Sequence, residues 1–218
     1  MKERTLLVLA RLLSAIFSPV YMTFAIFACV MIQNYMMYVS VGHVHPIGGY
    51  VVLLFVVFAF TVLIPVVSFS LYRRMARMTR MEAGFRRNRN IAYVMFVLSY
   101  LACTIMLFVM NVPMFLTYIL VASLCTLVVC AVLNMWFKVS VHMAALGGIT
   151  AVVGVYGFLM HFNPLYYICL LFLLSGVVGS CRMVLRQNTM SQVIVGYVVG
   201  LCFTSYFVLK GYGAFLLI

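Results

Sequence analysis

The sequence predicts an all-α fold, a polytopic membrane helical bundle of about six to seven transmembrane helices forming one domain over residues 1–218. Hydrophobic residues make up 67% of the chain and charged residues 7%, with mean hydropathy +1.23, which leaves too little polar surface to cover a water-soluble domain. Apolar stretches of about twenty residues recur along its length, the span a helix needs to satisfy every backbone amide inside a bilayer. The strict alternation that a membrane barrel requires is absent.

Residues 1–16 set Lys2, Arg4 and Arg11 beside Leu6, Leu7, Leu9, Leu12 and Leu13, the pattern of an amphipathic helix lying in the interface. A first crossing runs over 17–39 and ends in Tyr35 and Tyr38, whose rings favour the headgroup level. A second covers 50–72 with Pro65 as its expected kink, and the long polar stretch from Arg73 to Arg89 follows with seven arginines. Crossings over 91–110 and 113–137 form a hairpin turned at Asn111-Val112-Pro113. The fifth, 141–160, opens on the small residues 144–148, which allow close helix approach. A turn at His161 to Pro164 leads to the sixth, 165–181, and the last runs over 193–217 with the Gly196-x-x-x-Gly200 spacing.

Fourteen Lys and Arg stand against two acids, Glu3 and Glu82, and there is no Asp. In a soluble protein a net charge of +12 would suggest nucleic acid, but here the cations flank apolar runs, so a membrane partner is expected and no nucleic acid. The N-terminus, the arginine stretch, the island Lys138 to His142 and the stretch Arg182 to Gln192 are each separated by two crossings. They therefore share one face, which carries every Lys and Arg except Lys210 and which the positive-inside rule makes cytoplasmic. Lack of Asp removes the parts for a Ser-His-Asp triad or a carboxylate metal cage, so no metal and no cofactor are expected. His43, His45 and His161 gather on the other face without a carboxylate or thiol beside them. The seven cysteines show no CxxC spacing and read as small packing residues.

The shared face carries the chemistry. Phosphate is held by cationic donors, and phosphoryl transfer also needs a proton for the leaving group. Arg89, Lys138 and Arg182 can supply the first with Ser140 as a neutral donor, and His142 the second. Each has a plainer reading: the arginine stretch as a solvated loop attracted to anionic lipid, Lys138 and Arg182 as snorkelling anchors, and His142 as a helix-start residue.

The order of these parts resembles the type 2 phosphatidic acid phosphatase superfamily of membrane phosphatases, over roughly residues 80–205. An Arg-rich stretch, two helices, Lys138-x-Ser140-x-His142, two more helices, then Arg182-x5-Asn188-x3-Gln192 and a glycine-containing helix follow the family's three motifs. KVSVHMAALGG is closest to a divergent bacterial branch that writes the second motif Lys-Ile-Ser-x-His, which implies a bacterial inner-membrane location. The resemblance implies that Arg86, Arg89, Lys138, Ser140 and Arg182 bind phosphate and that His142 acts on the leaving group. The first motif fits either Arg80-x6-Arg87-Asn88 or Arg86-x-x-Arg89-x-x-Ala92, without the family's Pro in both; Arg89 is favoured.

Two positions depart from the family. Asn188 stands where the family has its nucleophilic His, and Gln192 where it has the Asp that orients that His. An amide nitrogen, its lone pair delocalised, is a very poor nucleophile, and Gln cannot stabilise an imidazolium by charge. The binding half of the site is present and the covalent half is replaced. The resemblance thus implies a membrane phosphatase for a lipid phosphate or polyprenyl diphosphate, with two alternatives: a catalytically inactive relative that binds or carries a phosphorylated lipid or isoprenoid, or serves a partner protein, and a small-solute transporter.

Overall fold

The computed structural model describes the backbone of residues 2–40, 47–78 and 85–216, and the side chains of 7–36, 48–72, 74, 91–211 and 213. The helices are α1 (Lys2–Ile16), α2 (Pro19–Ser40), α3 (Ile47–Phe58), α4 (Ile64–Met78), α5 (Phe85–Val109), α6 (Met114–Trp136), α7 (Val141–Leu159), α8 (Leu165–Val184) and α9 (Met190–Leu216). A π-helical turn, Ala59–Leu63, joins α3 and α4 into one rod. Among the described residues seven rods are long and apolar enough to cross a membrane, and each coincides with one of the seven expected crossings. The outward surface of the described crossings carries many large apolar side chains, with Phe55, Phe158 and Leu173 each about seven-tenths exposed (69%, 75% and 74%), as an integral membrane protein requires.

Pro65 acts one turn earlier than a simple kink. The Ile64 amide bonds back to Ala59 rather than to Phe60, which is what widens the turn. That leaves the Phe60 carbonyl open, and the Ser99 hydroxyl of α5 donates to it.

Three helices end on a residue in the left-handed region: Asn111, His161 and Arg186, with φ 51°, 52° and 51°. The first and last termini are Schellman pairs, with Asn111 and Val112 bonding to Phe108 and Leu107, and Arg186 and Gln187 bonding to Met183 and Arg182. Phe162 likewise bonds to Gly157. These closures make the connections short, so polar residues read as loop belong to helix ends. Arg182 lies in the last turn of α8, and Ser191 and Gln192 in the first turn of α9.

The α7–α9 pair is the spine. A Cβ on Gly196 would lie 2.5 Å from the Ser140 carbonyl oxygen, and Cβ atoms on Gly200 and Gly147 would run into the carbonyls of Ala144 and Tyr197. The two helices therefore pack backbone against backbone, which only glycine permits. Gly196, Gly200 and Ala144 are buried inside the bundle, not offered to lipid as a docking face for another helix. Farther from the island, Phe27, Val57, Leu107, Ile119, Leu120, Val152 and Val208 fill the main core.

Candidate functional site

The island between α6 and α7 is held from below by α9. Phe137 closes α6 with an extended backbone, Val139 turns inward and is buried, and the Ser140 amide donates to the Gln192 carbonyl at 3.2 Å. Ser140 is the N-cap residue of α7, with its own carbonyl accepting from Met143 and Ala144, but its hydroxyl does not cap the helix. It faces Asn188, with 3.0 Å between Ser140 Oγ and the amide.

Asn188 is the junction of the site. In the amide orientation that satisfies its neighbours, Oδ1 accepts from Ser140 Oγ at 3.0 Å and from Arg182 Nε at 3.2 Å, while Nδ2 donates to the Gln187 carbonyl at 2.9 Å. The same Gln187 carbonyl accepts from Lys138 Nζ. Arg182 extends its other end to Ser14 of α1, Nη1 to Oγ 3.1 Å. His142 lies beside Arg182 and bonds to the Ser14 backbone. Lys138, Ser140, His142, Arg182 and Asn188, drawn from two separate stretches, thus meet at one end of the bundle.

Gln192 has a different place from the one its spacing suggests. Its Oε1 accepts from the Thr189 amide at 3.1 Å, the return half of a capping box at the start of α9. The side chains of Arg86 and Arg89, and of Arg80, Arg87 and Asn88 in the other register, lie outside the described residues, as do those of His43 and His45. Sequence reasoning missed Ser14, which sits 168 positions from Arg182 in an apolar helix. The one signal available was a serine between Leu13 and Ala15, too ordinary to single out.

A cavity of about 290 Å³ opens beneath this cluster. Lys138, His142, Arg182 and Asn188 line its head, and residues of α2, α5, α6, α7 and α9 line its body. None of the described lining residues is acidic. Arg182 is half-buried and its partners Ser14 and Asn188 are neutral, so the guanidinium charge is not offset there. A buried cation with only dipolar partners is a ready receptor for an anion, and a planar fork suits phosphate oxygens. No protein-family model, curated protein or solved structure matches the chain.

Proposed function

We propose that this chain is a lipid-phosphate protein built on the plan of the type 2 phosphatidic acid phosphatases, and that it binds its ligand's phosphate without covalent transfer. The observation that supports this reading is the meeting of Lys138, His142, Arg182 and Asn188, with Ser140 bonded to Asn188, at the head of one cavity whose body is largely apolar. Arg182 and Lys138 provide charge, and the Ser140 hydroxyl, by donating to Asn188, holds that amide in place. At the nucleophile's position an amide is bonded on both ends to its own site, which gives it a structural task and no nucleophilic one. With thirteen of the fourteen Lys and Arg on that face, the site is proposed to open toward the cytoplasm of a bacterial cell.

One observation favours a second reading, hydrolysis by direct attack of water. His142 shares the cavity head with Arg182, so an imidazole that can take a proton from water stands beside a phosphate-binding cation. A third, solute transport, has no comparable support, since the cations lie at segment ends and not near mid-membrane.

Purified full-length protein in lipid nanodiscs, titrated with farnesyl phosphate and assayed for released phosphate, separates these. The binding reading expects saturable uptake that Arg182→Ala weakens at least about a hundredfold, two charge-assisted contacts at roughly 1.5 kcal/mol each, with no phosphate release. Release that His142→Ala abolishes establishes the hydrolytic reading instead. Uptake unchanged in Arg182→Ala removes the site altogether.

A further inference from the structure

α1 is too short to cross a bilayer and cannot run on into the helix that does. Its apolar part, Leu7–Ile16, is about 15 Å long at 1.5 Å rise per residue, roughly half of a hydrocarbon core. Pro19 forbids continuation, since its ring removes a helical donor and biases Ser18 away from the helical region. Ser18 opens α2 instead, its carbonyl accepting from the Tyr21 and Met22 amides. α1 is therefore a separate rod at the end of the bundle that carries Arg182.

Only a narrow seam of that rod faces protein. Between Leu7 and Ile16 the buried residues are Ala10 and Ser14, one turn apart, with Leu13 half-buried beside them. The seam lies on α8, and Phe17 just beyond it packs with Met143, Val178 and Val193. At about 100° per residue, Val8, Leu9, Leu12 and Ile16 fall on the side opposite the seam, and all four are more than half exposed. Arg11, also exposed, lies between seam and apolar side, about 60° from Ser14, and Arg4 seven positions earlier repeats its register. The rod thus has three sectors: a protein seam, a basic edge and an apolar face.

A face that is apolar and edged with cations fits acyl chains beneath anionic headgroups. α1 carries Lys2, Arg4 and Arg11 against the single acid Glu3, so its charge complements such a surface. The seam on the other side holds the site. Ser14 Oγ accepts from Arg182 Nη1 at 3.1 Å, and the Ser14 backbone bonds to His142. With Nε on Asn188 at 3.2 Å, the guanidinium is gripped at two places, which fixes its plane and leaves its remaining N–H groups for a ligand. One of those two grips belongs to α1.

We infer that α1 is a strap that docks on an anionic bilayer surface, and that this docking orients Arg182 and His142 through Ser14. The docking surface stands on α1 alone, whereas its consequence for a phosphate ligand rests on the proposed function. Ser14 is a positioning residue in this scheme, acting through Arg182.

The test uses full-length protein in nanodiscs of phosphatidylcholine, alone or with about a third phosphatidylglycerol, lipids that differ in charge while both carry a phosphodiester. Amide deuterium exchange over residues 7–16 reads the docking, and farnesyl phosphate binding reads the site. One cation near an anionic surface is worth about fivefold in association, so phosphatidylglycerol should slow exchange over this segment at least about fivefold, and Arg11→Gln should remove about that much. High salt should cancel the difference between the two discs, and Leu12→Gln should speed exchange in both. Ser14→Ala should weaken farnesyl phosphate about tenfold, the weight of one hydrogen bond to a charged group, and Ser14→Thr should restore it. The affinity ratio between the two discs, which a merely structural serine would leave alone, should favour phosphatidylglycerol more in the wild type than in Ser14→Ala. Exchange that is equal in both discs, or that Arg11→Gln leaves unchanged, overturns the docking. Protection that appears only in discs holding two copies assigns the apolar face to a second chain and overturns it as well. An affinity ratio unaltered by Ser14→Ala overturns the link to Arg182. If Arg182→Ala leaves farnesyl phosphate binding unaffected, the phosphate reading falls, and the exchange result still decides the docking.

Discussion

Replacing Gly196 with alanine should damage the site from behind, by displacing the Ser140 backbone while leaving every side chain of the site unchanged. The new Cβ would lie 2.5 Å from the Ser140 oxygen, 3.3 Å from its carbon and 3.4 Å from Met143 Cβ. Reaching the 3.0 Å below which such contacts are essentially never seen requires a shift of at least 0.5 Å (3.0 less 2.5), and both partners are helix backbone. Ser140 is held there by its amide bond to Gln192 at 3.2 Å and its hydroxyl contact with Asn188 at 3.0 Å. Moving it by that amount stretches one or both beyond useful length. Overpacking of this kind costs about 1–3 kcal/mol. Loss of the Ser140–Asn188 bond adds about 1 kcal/mol, so ligand affinity should fall about fivefold. The assay is thermal unfolding in detergent beside farnesyl phosphate binding, with Gly176→Ala as control. A Cβ at Gly176, on the exposed side of α8, meets nothing within 4 Å, so that variant should be neutral or stabilising by up to about 1 kcal/mol. Gly196→Ala matching wild type in both measurements would refute the close α7–α9 contact as the support of the site.

Arg186→Gly should raise the unfolding temperature, because an exposed arginine held at φ 51° is relieved of about 1–2 kcal/mol of strain; an unchanged or lower value would mean that the side chain contributes more than its backbone loses. Ser99→Ala should lower stability by about 1–3 kcal/mol, since the Phe60 carbonyl freed by the π turn loses its donor; the check is the same unfolding measurement. Asn134→Leu should stabilise by about 1–3 kcal/mol, because both ends of that buried amide lack partners among the described residues. A destabilised Asn134→Leu would show that the amide is satisfied in the membrane by a group such as a bound water.

Much of the fold was legible because a bilayer simplifies the problem. A run such as Met114 to Trp136 must be helical if it is to span hydrocarbon, and Asn111-Val112-Pro113 can only turn, so the crossings and their alternation follow from composition. The polar residues stood out for the same reason: in a chain with so few of them, Lys138, Ser140, His142, Arg182 and Asn188 are conspicuous, and crossing parity alone sends them to one face. Parity says nothing about distance. That Asn188 reaches Ser140 and Arg182 together depends on the Schellman turn at Arg186 and on Gly196 letting α9 close on α7. Gln192 illustrates the limit: its spacing marks it as an orienting residue, yet at the third position of a helix its amide reaches back to Thr189. Ser14 was invisible for the converse reason, since nothing local ties a serine of α1 to an arginine of α8. The sequence by itself determined an all-helical membrane bundle with its cations on one face, because hydropathy and length act locally along the chain. Only the tertiary structure decided which polar groups touch and that an apolar cavity runs beneath them, because contact and empty space depend on how separate helices pack.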